Sequence, residues 1–358
     1  VTHTTVRPAL PDTMRAAVLL EPGRIEMQER PLPAPEPGDV LVRVTTVGVC
    51  GSDAHYYREG RIGEFVVTAP IVLGHEASGV VVAVGDGVPV GRIGERVSIE
   101  PQRPDPLTEE TRRGDYNLCP HMRFYATPPV DGALCEYVTI GAAFAHRVPD
   151  TVSDDAAALC EPLSVGIAAV RKARLTAGSR VLVTGAGPVG IVVAQVARAF
   201  GAVEVVVTDL DERRRETALS FGASAALDPR VDDPSTLRVD AYIDASGAPA
   251  AVDSGIRAVR PGGTVVLVGS GAETMTLPVQ LVQNRELILT GVFRYANTWP
   301  TALALVESGR VDLDSMVTAR FPLDKAADAL DSDRIPGNIK AVVDVTDPAG
   351  RTEDHACE

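Results

Sequence analysis

The chain has 358 residues, 45% of them hydrophobic and 23% charged, a length that exceeds one ordinary domain and suits two. Its net charge of -14 argues against a surface that holds a phosphate backbone, which needs clustered Lys and Arg, so no nucleic-acid partner is expected. The cysteines Cys50, Cys119, Cys135, Cys160 and Cys357 make no regular disulfide framework, the N-terminus lacks the apolar core of a secretory signal, and no window has the unbroken apolar length of a membrane span, so a cytoplasmic protein with no membrane partner is expected.

Taken in order, residues up to about Thr13 read as a loose polar arm. From Arg15 short β-branched runs broken by Pro and Gly predict strands. The segment from Pro31 to Asp39 carries a proline at every second position through Pro37 and reads as a rigid connector. Strands are predicted at Val40–Val47 and Val80–Val84, with a tight turn at Gly85-Asp86-Gly87. The charged, Pro-rich stretch from Ile99 to Asn117 reads as a surface loop or lobe. The first half is thus an irregular β-rich domain.

Two stretches of that half carry chemistry. Gly74-His75-Glu76-Ala77-Ser78-Gly79 places an imidazole beside a carboxylate between glycines. Cys50 lies upstream in Gly48-Val49-Cys50-Gly51-Ser52-Asp53. A thiolate, an imidazole and a carboxylate can make three ligands of a tetrahedral zinc and leave the fourth position for water or substrate. A lone Cys is ordinarily a small core residue, and a His-Glu pair is ordinarily on the surface. Together, and beside a dinucleotide fingerprint, they point to a catalytic metal.

The texture changes near Thr151. Ser153-Asp154-Asp155 before Ala156–Leu159 predicts a capped helix start. From Arg180 apolar strand, Gly-rich turn and Ala-rich helix alternate, as in parallel βαβ units. Strands are predicted at Val181–Thr184, Val203–Thr208, Ala241–Asp244, Thr264–Val268 and Leu287–Gly291. A helix over Pro300–Ser308 and a strand near Lys340–Val345 follow, and the tail from Asp347 reads as polar and mobile.

The turn Gly185-Ala186-Gly187-Pro188-Val189-Gly190 stands between the strand ending at Thr184 and a helix over Ile191–Phe200. Its first glycine makes the tight turn, its second lets backbone approach a pyrophosphate, and its third lets helix and strand pack closely. Asp209 ends the next strand, about 20 residues on, as the fingerprint requires. Its carboxylate can accept hydrogen bonds from an adenosine ribose and repel a 2′-phosphate, so NAD is expected over NADP. Arg213 and Arg214 are the residues that could hold a 2′-phosphate instead.

With these residues in view, Gly74-His75-Glu76-x2-Gly79-x5-Gly85-x2-Val88 resembles the zinc signature of the medium-chain alcohol dehydrogenase superfamily. The sorbitol (polyol) dehydrogenase branch is the most similar, through Gly48–Tyr56, Gly60–Val67, Ala126–Pro129, Glu161–Gly166 and Gly291–Pro300. The similarity runs from about Arg15 to Val345. It implies a Rossmann doubly wound parallel sheet over residues 161–298 and a β-rich GroES-like catalytic domain from residues 1–160 and 299–358. The α/β fold would hold the active site in the cleft between them, in a homotetramer.

The resemblance also implies roles. Cys50, His75 and Glu76 match the three zinc ligands, and Glu161 matches a carboxylate that holds zinc-bound water or ligates the metal. Ser52 and His55 match positions that accept the substrate hydroxyl proton and relay it outward. Tyr56, Phe124, Arg294 and Tyr295 match substrate-pocket positions. Arg214, Val268, Val292 and Phe293 join the glycine-rich turn and Asp209 on the cofactor side.

The implied activity is oxidation of a secondary hydroxyl of a small polyhydroxylated substrate, with hydride transfer to NAD. A pocket of polar groups suits such a substrate, because buried polar groups need partners. In the lobe Ser98–His121, where many members bind a second zinc on four cysteines, this chain has only Cys119, so one zinc per chain is expected. Tyr57 and Arg123 replace the Trp and the apolar residue more usual in the branch. Extra polarity at the pocket mouth would suit a cyclitol or aminocyclitol as an alternative to a linear polyol. A zinc-free reductase or a catalytically silent NAD-binding protein is the rival reading, and the intact Cys50, His75 and Glu76 oppose both.

Overall fold

The computed structural model describes residues 10–271 and 273–346. Most of the expected N-terminal arm and the tail from Asp347 lie outside the described residues. The chain opens with the hairpin Thr13–Glu21 and Arg24–Pro31, whose first strand also pairs with Ile71–Val72. A seven-stranded sheet follows, centred on Asp39–Gly48. That strand is buried along most of its length, which its run of valines explains. It pairs antiparallel with Glu76–Val84, with Tyr137–Gly141 and with Lys340–Asp344. The last pairing brings the C-terminal part of the chain back beside the first half.

Two elements depart from expectation. The strand expected at Val80–Val84 begins at Glu76. Its early part is made of Ala77, Ser78 and Gly79, small residues that let the neighbouring strand approach: a Cβ on Gly79 would lie 2.2 Å from the Arg43 carbonyl oxygen. An unexpected helix, Gly51–Glu59, follows Cys50 and ends at Gly60 in the left-handed region, φ 69°. It buries Asp53, Ala54 and Tyr56, a set with no clean apolar period, so the sequence carries little helical signal there. The lobe is likewise more than surface. Glu100 and Gln102 are fully buried, and a short helix, Glu109–Arg113, is capped by Thr108.

The later part of the chain forms a six-stranded sheet in the order Ala225–Leu227, Glu204–Thr208, Arg180–Thr184, Val239–Asp244, Val259–Leu267, Ile288–Gly291. Every pairing in it is parallel. This is the strand order of the dinucleotide-binding doubly wound fold, whose ligand lies outside the carboxyl ends of the strands where the order reverses. Ala225–Leu227 escaped expectation because it is a three-residue edge strand. The helix Trp299–Glu307 then leads back toward the first half. Trp299 and Tyr295 are buried in the same cluster as Leu163 and Ile167 of the helix Cys160–Lys172. Burial of one such large side chain stabilises the fold by about 1.5–3 kcal/mol.

Candidate active site

Cys50 caps the helix that follows the strand Asp39–Gly48, His75 directly precedes the neighbouring strand Glu76–Val84 and Glu76 opens it, and their ligand atoms lie within 4.8 Å of one another. The pairing of Gly48 with Glu76 across the sheet brings them together. Gly48 has to be glycine, since a Cβ there would stand 2.1 Å from Glu76 Oε2. That oxygen is buried and has no hydrogen-bond partner, a costly condition for a carboxylate unless a cation meets it. His75 Nδ1 stands 3.1 Å from Asp53 Oδ2, while Asp53 Oδ1 accepts from the Gly74 amide at 3.0 Å. The imidazole is thereby oriented through Nδ1, leaving Nε2 for a metal. This donor set fits zinc.

Lys340 was not foreseen. Its ammonium is buried and donates to Glu76 Oε1 at 2.6 Å and to the Val49 carbonyl at 2.8 Å. It therefore holds one oxygen of Glu76 and leaves the other open. Nothing near Glu76 in sequence signals it. Asp53 could have been found, as an acid three residues beyond Cys50 in the glycine-flanked stretch.

The remaining candidates surround this cluster unequally. Ser52 Oγ donates to Cys50 Sγ at 3.2 Å. Glu161, in the first turn of its helix, is buried and accepts from Tyr295 Oη at 2.6 Å. Burial pushes its carboxyl up to about 7. The Phe124 ring lies 5.6 Å from the His75 ring. Arg294 stacks its guanidinium 3.9 Å above Phe124 and 4.7 Å from Phe293, with one weak bond to Thr127 Oγ1 at 3.4 Å. Tyr56 is buried and faces the same space, its phenol pKa raised by burial. His55 follows Ser52 by three residues on the same helix and is exposed, its Nδ1 3.4 Å from Glu59 Oε1.

The glycine-rich turn has the geometry its composition requires. Gly185 is left-handed, φ 89°, and a Cβ on Gly190 would lie 1.8 Å from the Gly185 carbonyl oxygen. Gly187 caps the helix Pro188–Ala199, whose first turn includes Val189 and Gly190. Asp209 accepts from the amides of Ala186 and Asp211 at 2.8 and 2.9 Å. Arg213 and Arg214 line a cleft of ≈ 260 Å³ with Gly187, Pro188, Cys50 and Lys340. Val268 and Val292 follow strand ends, their amides bonded to Asp244 and Leu267 carbonyls. Phe293 is next to Val292 and half-exposed. The nucleotide cleft thus opens onto the metal cluster.

The match to known proteins agrees with this geometry. The alcohol dehydrogenase GroES-like domain matches residues 36–150, and the zinc-binding dehydrogenase family matches residues 188–308. The sorbitol dehydrogenase of Gallus gallus is 43% identical over 338 residues, covering 92% of this chain and 95% of that protein. The chain belongs to the zinc-dependent medium-chain alcohol dehydrogenases, in the sorbitol dehydrogenase branch. The Homo sapiens sorbitol dehydrogenase is 45% identical, with 87% of this chain and 90% of that one covered. The structure of L-idonate 5-dehydrogenase from Escherichia coli superposes with a TM-score of 0.88 at 27% identity, covering 93% of this chain and 98% of the other. This dehydrogenase therefore works with zinc and NAD.

Two expectations about the pocket mouth of this dehydrogenase need correction. Tyr57 turns away from the pocket and donates to the Gly23 carbonyl at 3.3 Å. Arg123 precedes Phe124 in a short strand, and successive strand residues face opposite sides. Phe124 is inward, so Arg123 lines a separate hollow with Arg103, Tyr125 and Tyr137. Neither residue adds polarity where substrate would enter.

Proposed function

We propose that this enzyme oxidises a secondary hydroxyl of a linear polyol of the sorbitol or xylitol type to a ketone, with NAD as acceptor. The observation that carries the reading is Arg294. Its guanidinium carbon lies 3.9 Å over the Phe124 ring, which neighbours His75 of the Cys50–His75–Glu76 cluster, and most of its donors are unspent. Glu161, Tyr295, Tyr56 and Ser52 add polar groups around the same space. A chain of hydroxyls satisfies such groups, whereas a simple aliphatic alcohol would leave them unpaired.

In this reading Cys50, His75 and Glu76 hold the zinc, with Lys340 and Asp53 fixing the two residues they touch. Zinc, when bound, acts as a Lewis acid that lowers the pKa of the substrate hydroxyl, and NAD takes the hydride. Ser52 Oγ accepts the hydroxyl proton as it releases its own, and His55, exposed on the same helix, passes that proton to solvent. Glu161 and Tyr295 orient the reacting carbon, and Arg294 binds the more distant hydroxyls. Gly185–Gly190, Asp209, Arg214, Val268, Val292 and Phe293 place the nicotinamide against that carbon.

We further propose the division into a catalytic domain of residues 1–160 and 299–358 and a nucleotide domain of residues 161–298. A homotetramer in the cytoplasm completes the reading. Ile288 and Leu289 are partly exposed on the outermost strand of the parallel sheet, an open edge of the kind that pairing between copies covers. The free thiols of Cys50, Cys119, Cys135 and Cys160 suit a reducing compartment.

The test is NADH formation, comparing kcat/KM for sorbitol and xylitol with that for an inositol-type cyclitol or aminocyclitol. Preference for the linear substrates supports the assignment. Preference for the ring moves the substrate to cyclitols while keeping the zinc and hydride chemistry.

A further inference from the structure

The segment Phe293–Asn297 carries the pocket residues Arg294 and Tyr295, yet it is backbone of an uncommon kind. Arg294 and Asn297 both lie in the left-handed region, at φ 55° and 57°, which non-glycine residues rarely adopt. Such a conformation persists only where the surroundings over-determine it.

The helix Cys160–Lys172 supplies part of these surroundings, Arg171 Nη1 donating to the Asn297 carbonyl at 2.9 Å and Glu161 accepting from Tyr295. The lobe that begins at Ser98 supplies four further contacts. Asn117 Nδ2 donates to the Phe293 carbonyl at 2.8 Å, and Gln102 Nε2 donates to the Tyr295 carbonyl at 3.0 Å. The Asn297 amide donates to Tyr116 Oη at 2.7 Å, and Asn297 Nδ2 donates to the Gly114 carbonyl at 2.9 Å. Two of these four contacts converge on one buried side chain. Glu100 Oε1 accepts from Tyr116 Oη at 2.7 Å and from Gln102 Nε2 at 3.1 Å. Glu100 Oε2 meets His146 Nε2 at 2.8 Å, and the His146 ring stacks on Trp299, which packs edge-on against Tyr295. The metal cluster makes none of these contacts.

We infer that Glu100 is a positioning residue, the hub through which Gln102 and Tyr116 hold the substrate-binding segment 293–297 in its productive conformation. Its carboxylate is suited to the task because it accepts from three donors and asks for none. The inference rests on the reading that Arg294 and Tyr295 meet the substrate. It also gives the lobe a task in polyol recognition that its charged, Pro-rich sequence does not announce.

Glu100→Gln keeps the shape but sets an amide donor against donors. Tyr116→Phe removes the single hydroxyl that joins Glu100 to the Asn297 amide. For each variant the KM for the alcohol should rise by about 10-fold or more, the effect of a lost charge-assisted hydrogen bond. The KM for NAD and the zinc content should stay within about twofold, and the double variant should be no worse than Glu100→Gln alone, because the residues act as one unit.

An unchanged alcohol KM in Tyr116→Phe would overturn the inference, as would losses of zinc, NAD and alcohol binding in equal proportion. Should Glu100→Gln not fold, Tyr116→Phe decides. Sorbitol and 2,3-butanediol are both assayed. Failure of the unmutated enzyme on sorbitol alone counts against the polyol reading, while the KM shift for the other alcohol still judges the hub. Emission of Trp299, the only tryptophan, supplies a readout that needs no substrate: it shifts in both variants if the hub holds this segment and stays fixed if it does not.

Discussion

Tyr295 donates a 2.6 Å hydrogen bond to Glu161, and this contact joins the segment after the parallel sheet to the helix that starts beside the metal cluster. Both groups are buried, so each depends on this contact more than an exposed group would. Tyr295→Phe keeps the ring against Trp299 and removes only the donor. A hydrogen bond to a charged or partly charged group contributes about 1.5–3 kcal/mol. The expected loss in kcat/KM for sorbitol is therefore about 10- to 100-fold, with the KM for NAD unchanged. A steady-state comparison with both substrates checks it.

His75 makes zinc affinity depend on pH in a defined direction. Burial alone would lower its pKa, but the Asp53 carboxylate and the charge of Cys50 raise it well above the usual value. The shift favours the protonated imidazole in metal-free protein, and zinc binding has to displace any proton it holds. Affinity should rise with pH by about tenfold per unit for each proton released, throughout the range where His75 stays protonated. Competition with a chromophoric chelator between about pH 6 and 8 measures the slope. A flat profile would contradict a protonated His75.

We propose that Asp209 sets the choice of cofactor. Its two oxygens accept backbone amides, which fixes the carboxylate where the adenosine ribose would lie. Arg213 and Arg214 line the cleft that also contains Gly187 and Pro188 of the glycine-rich turn. Asp209→Ser should lower kcat/KM with NAD by about 10- to 100-fold, the cost of a charged hydrogen bond. It should raise kcat/KM with NADP, because two guanidinium groups are then free to meet the 2′-phosphate. Initial rates with both cofactors decide, and an unmoved ratio would show that Asp209 does not select.

Lys340 and Glu76 yield a prediction on the metal itself. Outer-shell partners of metal ligands typically contribute about 10- to 100-fold in metal affinity. Lys340→Met should weaken zinc binding by about that factor. Lys340→Arg, which keeps a cation and donors, should lose less. Zinc retention under dialysis against a chelator, measured by metal analysis on folded protein, separates the two.

Much of this site was legible in the sequence because backbone geometry demanded it. The turn at Gly185–Gly190 needs a left-handed first residue and a third that admits a carbonyl oxygen almost to its Cα, and only glycine offers both. Cys50, His75 and Glu76 stood out through their glycine-flanked settings. The misses have physical causes as well. The helix Gly51–Glu59 serves the site with Ser52, Asp53 and Tyr56, so its apolar period is broken. Glu100 and Gln102 sit in a stretch whose charge and prolines resemble surface. The orientation of Arg123 could have been read from Phe124, since neighbours in a strand face opposite ways.

Lys340 lies 264 residues beyond the carboxylate it holds. During synthesis the three ligand residues leave the ribosome long before that lysine does. Until it arrives, Glu76 Oε1 lacks its ammonium partner, and the sheet position between Asp39–Gly48 and Val317–Pro322 is unfilled. The hydrogen-bonded surroundings of Glu76 are thus completed only when the strand Lys340–Asp344 docks, which ties the shape of the metal cluster to the last strand among the described residues.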